Sequence, residues 1–285
     1  MQGQFIFSTC NRADLSLTAL LRNTARDHRA GAGQGGAADG GGAAVGESDM
    51  RVGLRVFHAG VLEYERDEFA TVPADGFAEV SARTCPLLGD ETREFLLLAR
   101  CRRGAGEGYF PQEHQVTYTS RQGGRSTSLL YDQMPIPGGA PKANSILLLA
   151  PKVWISDDVD TFIALANVGG YSSGRSAGSR WQIDFLAQSG AKIHGVSVDL
   201  VQNASHLIDV KRTLAGRFEV GGALRMLTVV ARGDTGMCAI LTFLCNRRTR
   251  ALALEHSLSP HYYMNGDFAR VRKEAFLIAG AGSRP

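Results

Sequence analysis

A chain of 285 residues with 44% hydrophobic and 21% charged side chains has a globular composition and enough length for two ordinary domains, each with its own core. Its formal net charge of +3 excludes the strongly basic footprint of a dedicated nucleic-acid domain. The opening MQGQFIFSTCNRAD lacks a basic n-region, and apolar runs such as Ile146–Ala150 and Cys238–Cys245 fall far short of the roughly 20 residues that cross a bilayer.

In chain order, nearly every apolar segment has strand character. The tract Arg29–Glu47 is dominated by Gly and Ala and predicts a flexible insertion, because it offers too little side chain to bury. Arg51–Val56 then alternates apolar and polar positions, and Phe95–Ala99 is a continuous apolar run suited to a central strand. Turns are predicted at Ala74-Asp75-Gly76, Gly104–Gly108 and Gly123-Gly124. Met134–Pro141, with three prolines, predicts an extended connector, followed by a strand over Asn144–Ile155. A second Gly/Ser-rich loop, Gly169–Ser179, precedes the alternating strand Trp181–Ala187. Leu224–Ala231 and Ala239–Cys245 are further apolar strands, and Asn265 or Asp267 could cap a short helix over Phe268–Leu277.

These elements occur twice in the same order, from about Asp14 to Thr119 and from about Asp157 to Tyr263. Arg51-Val52-Gly53-Leu54-Arg55-Val56 aligns with Arg180-Trp181-Gln182-Ile183-Asp184-Phe185. Cys101-Arg102-Arg103 aligns with Cys245-Asn246-Arg247-Arg248, and Glu113-His114 with Glu255-His256. The expected fold is all-β: two tandem homologous β-sandwich domains, residues 1–135 and 142–285, with a short C-terminal helix.

The Glu-His pairs are the leading site candidates, because a carboxylate and an imidazole can share a metal or act as base and orienter. Neighbours on a strand point to opposite faces, which puts His114 and His256 on the apolar side. Each is then a hydrogen-bonded core histidine or the floor of a pocket between sheets. His261, five residues after His256 through Ser259-Pro260, would reach the rim of the second sandwich. Arginines gather in both copies, at Arg100, Arg102 and Arg103 and again at Arg247, Arg248 and Arg250. Pseudo-twofold packing would join them into a basic rim for phosphate, carboxylate or an acidic protein surface. The glycines Gly31, Gly33 and Gly36 match GxGxxG but have no helix pattern behind them, as a dinucleotide site requires. The five cysteines (Cys10, Cys85, Cys101, Cys238, Cys245) lack CxxC spacing and read as reduced thiols of a cytoplasmic protein. The sequence assigns no metal and no cofactor.

Asn167-Val168-Gly169 ending a strand, the amphipathic strand Trp181–Ala187, the segment Val201–Val210 and a late strand carrying a His together resemble the sensory rhodopsin transducer family. The resemblance is one of layout. It implies a small β-sandwich in a soluble, oligomeric protein that binds partners or small ligands. The leading reading is therefore a non-catalytic ligand- or partner-binding accessory or signalling protein, its partner a small ligand or a protein, with a possible homo-oligomer. No nucleic acid and no membrane span are expected. The alternative is a small-molecule enzyme, possibly metal-assisted, with a His/Glu site in the second sandwich. Candidate ligand-binding residues are His114, Glu113, His256, Glu255, His261, Arg247, Arg248 and Arg103.

Overall fold

A computed structural model describes residues 4–23, 49–103, 114–123, 125–131, 146–167, 178–233 and 238–256. The first half folds into β1 (Gln4–Cys10), β2 (Leu15–Arg22), β3 (Met50–His58), β4 (Val61–Val72), β5 (Phe77–Ser81), β6 (Leu96–Arg103), β7 (His114–Ser120) and β8 (Ser126–Tyr131). The second half gives β9 (Ile146–Ile155), β10 (Val159–Asn167), β11 (Ser179–Leu186), β12 (Lys192–Leu200), β13 (Ser205–Asp209), β14 (Arg225–Gly233), β15 (Cys238–Asn246) and β16 (Leu252–His256). A one-turn helix, α1 (Val210–Thr213), follows β13. Among the described residues no helix is long and apolar enough to cross a membrane. The insertion Arg29–Glu47, the glycines Gly31, Gly33 and Gly36, the connector Met134–Pro141, most of the loop Gly169–Ser179 and the helix Phe268–Leu277 lie outside the described residues.

The strands form four antiparallel sheets, ordered β1-β6-β3-β4, β5-β2-β7-β8, β12-β11-β14-β9 and β13-β10-β15-β16. The second pair of sheets repeats the first strand for strand, so the topology is duplicated. One local device recurs as well. Asn23 directly follows β2 and Asn167 ends β10, both fully buried. The Asn23 N–H donates to Gly76 O and the Asn167 N–H to Ala204 O. In each case the acceptor follows a left-handed residue, Asp75 (φ 60°) or Asn203 (φ 59°). Asp and Asn tolerate that conformation better than most side chains, which fixes the turn into β5 and into β13.

Register corrects two of the sequence alignments. Arg51–Val56 and Arg180–Phe185 do occupy equivalent strands, β3 and β11. Cys101 on β6 pairs with Val52, and the equivalent pair in the second copy is Gly233 with Trp181. A Cβ on Gly233 would collide with the Trp181 indole. The copies therefore fill one core site with medium–medium and large–none pairs, which conserves volume and erases identity. The Glu-His pairs are not equivalent: His114 opens β7 and His256 closes β16, the counterpart of β8. The counterpart of His114 is Ile240, a core residue. Equal dipeptides at similar distances hid a difference of one strand.

The two sandwiches share apolar surface. On β10, Ile163 and Leu165 enter the second core, while Ala164 turns to the first. Leu241 and Phe243 of β15 and Leu254 of β16 join the first core beside Leu15, Leu17 and Tyr118. Phe243 meets Tyr118 edge to face at 5.1 Å between ring centroids. The sheet β13-β10-β15-β16 is thus covered on both faces, which is why Ala239–Cys245 is apolar without alternation.

Candidate functional site

Where the shared apolar surface ends, the copies part around a cleft of about 330 Å³ lined by polar groups of both. The first copy contributes Arg12, Asp14, Ser120 and Gln122. The second contributes Asp160 and Phe162 from the start of β10, and Cys245, Asn246, Arg247, Arg250, Ala251 and Leu252 from the β15–β16 turn.

Arg12 forms one wall. It is 7% exposed, its guanidinium lies 3.9 Å above the Phe162 ring, and Nη1 donates to Cys245 Sγ at 3.4 Å. Its Nε and Nη2 bind the Asp14 carboxylate side-on. Burial opposes the charge, but the Asp14 carboxylate outweighs it and holds the Arg12 pKa above its ordinary value. A planar guanidinium stacked on a ring and forked onto a carboxylate has little freedom left. Burial raises the pKa of the neighbouring Cys245 thiol, with Arg12 pulling the other way, so the net result is a protonated thiol at neutral pH.

The facing wall is built by the turn after β15. Asn246 Oδ1 accepts from the N–H groups of Arg248 and Thr249, and the Asn246 N–H reaches Ala251 O at 2.9 Å. This side-chain-to-backbone turn forces Arg250 into the left-handed region, φ 59°. Its Nη1 donates to Gln122 Oε1 across the cleft at 2.8 Å. Arg247 binds the buried Asp160 through Nε, and Lys211 Nζ lies 2.8 Å from the same carboxylate. The bond to Asp160 holds the Arg247 pKa up. Three arginines against two aspartates line the cleft, and Lys211 adds a cation behind it. Among the described residues, Arg247 and Arg250 each make one side-chain bond, which leaves guanidinium N–H groups for a ligand.

Of the residues expected from sequence, Arg247 lies in this cleft. Arg248 is exposed beside it, 3.7 Å from Asp158. Arg103 is elsewhere, at the end of β6 opposite Met50, so the two arginine groups do not form one rim. The reason is again strand equivalence: Arg100 to Arg103 run along β6, whereas Arg247 to Arg250 form the β15–β16 turn. His114 is fully buried on the same face of β7 as Val116 and Tyr118, and its Nδ1 accepts from the Arg22 N–H at 3.0 Å. Burial, aided by the Arg22 charge, lowers its pKa to about 3, so the ring is neutral. His256 is in register with Leu241, and half-buried Glu255 with Thr242. Glu113 and His261 lie outside the described residues. Among those described, no three His, Cys, Asp or Glu side chains converge as metal ligands do. Sequence reasoning missed Arg12, Asp14, Asp160 and Phe162, which converge only because the copies pack on each other.

No protein-family model matches this chain, and no curated protein matches it. Among solved structures, it is similar to Thermotoga maritima 1070 at 9% identity, over 40% of this chain and 93% of that one, with a TM-score of 0.32. A putative β-galactosidase from Bacteroides fragilis matches at 9% identity over 90% of this chain and 32% of that one, TM-score 0.19. A calcium-binding mutant of Bacteroides uniformis β-glucuronidase 2 matches at 10% identity over 90% and 26%, TM-score 0.20. Likenesses this distant carry no argument about function.

Proposed function

We propose that this protein is a non-catalytic binding protein whose small, anionic ligand sits in the cleft between the two sandwiches. The observation that carries the reading is the pair Arg247 and Arg250, presented by one turn with unspent donors over a floor of Phe162 and Leu252. A carboxylate or phosphate could take those donors in charge-assisted bonds while the apolar part of the ligand lies against Leu252 and the part of Phe162 that Arg12 leaves open. Arg12 shapes the site more than it opens it, because three of its five N–H groups go to Asp14 and Cys245 and the side chain is buried against Phe162. The conformation of Arg250 adds support. A side chain held in the left-handed region costs stability, and such positions cluster at functional sites. The protonated, partly buried Cys245 is a poor nucleophile, which favours binding over covalent chemistry.

A thermal-shift screen of anionic metabolites at constant ionic strength tests the reading. Hits should stabilise the wild type and lose that effect in Arg247→Gln. Hits equally strong in both proteins would place the ligand elsewhere.

A further inference from the structure

We infer that a second anion site, for a phosphate-bearing small ligand, lies on the outer face of the sheet β1-β6-β3-β4, with Arg51 and Arg102 as its two guanidinium forks. Rows of cross-strand neighbours define that face. In one row Arg55 of β3 is opposite Glu65 of β4, and the two form an ion pair. In the next, Arg100 of β6 lies 3.5 Å from Asp67 at the bulge of β4. In the last row Arg51 and Arg102 are direct cross-strand partners, and the β4 residue opposite Arg51 is Thr71. Two like charges so placed repel, because directly opposed side chains start about 5 Å apart. Among the described residues neither arginine has a hydrogen bond or ion pair, and Arg102 Nε is shielded from solvent without a partner.

The second copy shows what this row looks like when it is neutralised. Arg180, the counterpart of Arg51, pairs with Asp199 of β12 at 2.8 Å. Asp199 is the register equivalent of Thr71. In sequence the counterpart of Arg102 is Asp234, outside the described residues. The first copy thus carries Thr71 where the second carries Asp199. Gly53, next to Arg51's neighbour Val52, is buried beside the bulge, and a Cβ there would lie 3.0 Å from Asp67 O, a tight contact that glycine avoids. A phosphate group suits two forks better than a carboxylate does, since it offers three oxygens on one centre and up to two negative charges.

Pyrophosphate is the probe, titrated calorimetrically into the full chain at fixed ionic strength, with malonate as the dicarboxylate comparison. A saturable site is expected that is weakened at least tenfold in Arg51→Gln and in Thr71→Asp and that persists in Arg250→Gly, whatever the cleft itself binds. Thr71→Asp rebuilds the ion pair of the second copy, so it reports on the site even if Arg51→Gln folds poorly. Equal binding to wild type and Thr71→Asp, no saturable binding, or malonate binding as tightly as pyrophosphate would each overturn the inference. Loss of all saturable binding in Arg250→Gly would overturn it as well, by placing every bound anion in the cleft between the sandwiches.

Discussion

Arg250→Gly separates a ligand-binding role for the β15–β16 turn from a structural one. Arg250 sits at φ 59°, a conformation that costs a side chain with a Cβ about 1–2 kcal/mol and costs glycine almost nothing. Against that relief stand the lost Nη1 bond to Gln122, worth about 0.5–1.5 kcal/mol, and the greater unfolded-state freedom of glycine, roughly 0.5–1 kcal/mol. The terms cancel to within about 1 kcal/mol, so the melting midpoint should move by a few degrees at most. Binding should respond differently. A hydrogen bond to a charged group contributes about 1.5–3 kcal/mol, so a ligand held by Arg250 should weaken roughly 10- to 100-fold. Thermal melts and calorimetric titration of an anionic ligand from the screen, on the same preparations, read both quantities. A midpoint lowered by more than about 5 °C with unchanged affinity would show that Arg250 serves the turn alone, and the reasoning would fail.

Three further outcomes are expected. Phe243→Ala should cost about 3–5 kcal/mol, seen as a lower denaturant midpoint, because the ring fills the core shared by both copies; a loss under 1 kcal/mol would mean the copies do not depend on each other. His114 has its folded pKa depressed to about 3 from an ordinary 6.5, so its contribution is full above pH 6.5 and falls away as the pH drops toward 3. His114→Ile, which installs the residue of the second copy, should therefore lose less stability between pH 7 and pH 4 than the wild type; parallel losses would show that the ring titrates normally. Among Cys10, Cys85, Cys101 and Cys245, only Cys245 is not fully buried, so native-state alkylation followed by peptide mapping should label it first, and a cleft ligand should slow it. Labelling that ignores the ligand would place the ligand away from this thiol.

The β class, the duplication and the central strands were legible because they rest on periodicity and run length, which a single sequence displays. Trp181, Ile183 and Phe185 alternate with Arg180, Gln182 and Asp184, and burial follows that period except at Asp184, a buried carboxylate paired with Lys192 and Arg232. The registers were not legible, because the copies fill equivalent sites differently: Val52 with Cys101 in one, Trp181 with Gly233 in the other. The Glu-His repeat looked like an anchor, yet the real anchor was a single residue, Asn23 or Asn167, bonded to a turn about fifty residues away in one copy and closer in the other. Arg247 was found through the arginine-rich turn. Arg12 and Asp160 were not, since each is one charged residue beside a strand and gains meaning only when the shared apolar face brings the two copies together.

The most direct measurement is a crystal structure of the full chain with the tightest anionic ligand from the thermal-shift screen. The account predicts ligand density in the cleft between the sandwiches, its anionic group bonded to Arg247 and Arg250 and its apolar part against Leu252 and Phe162. Density within one sandwich at His114, or a cleft left empty at saturating ligand, would contradict it.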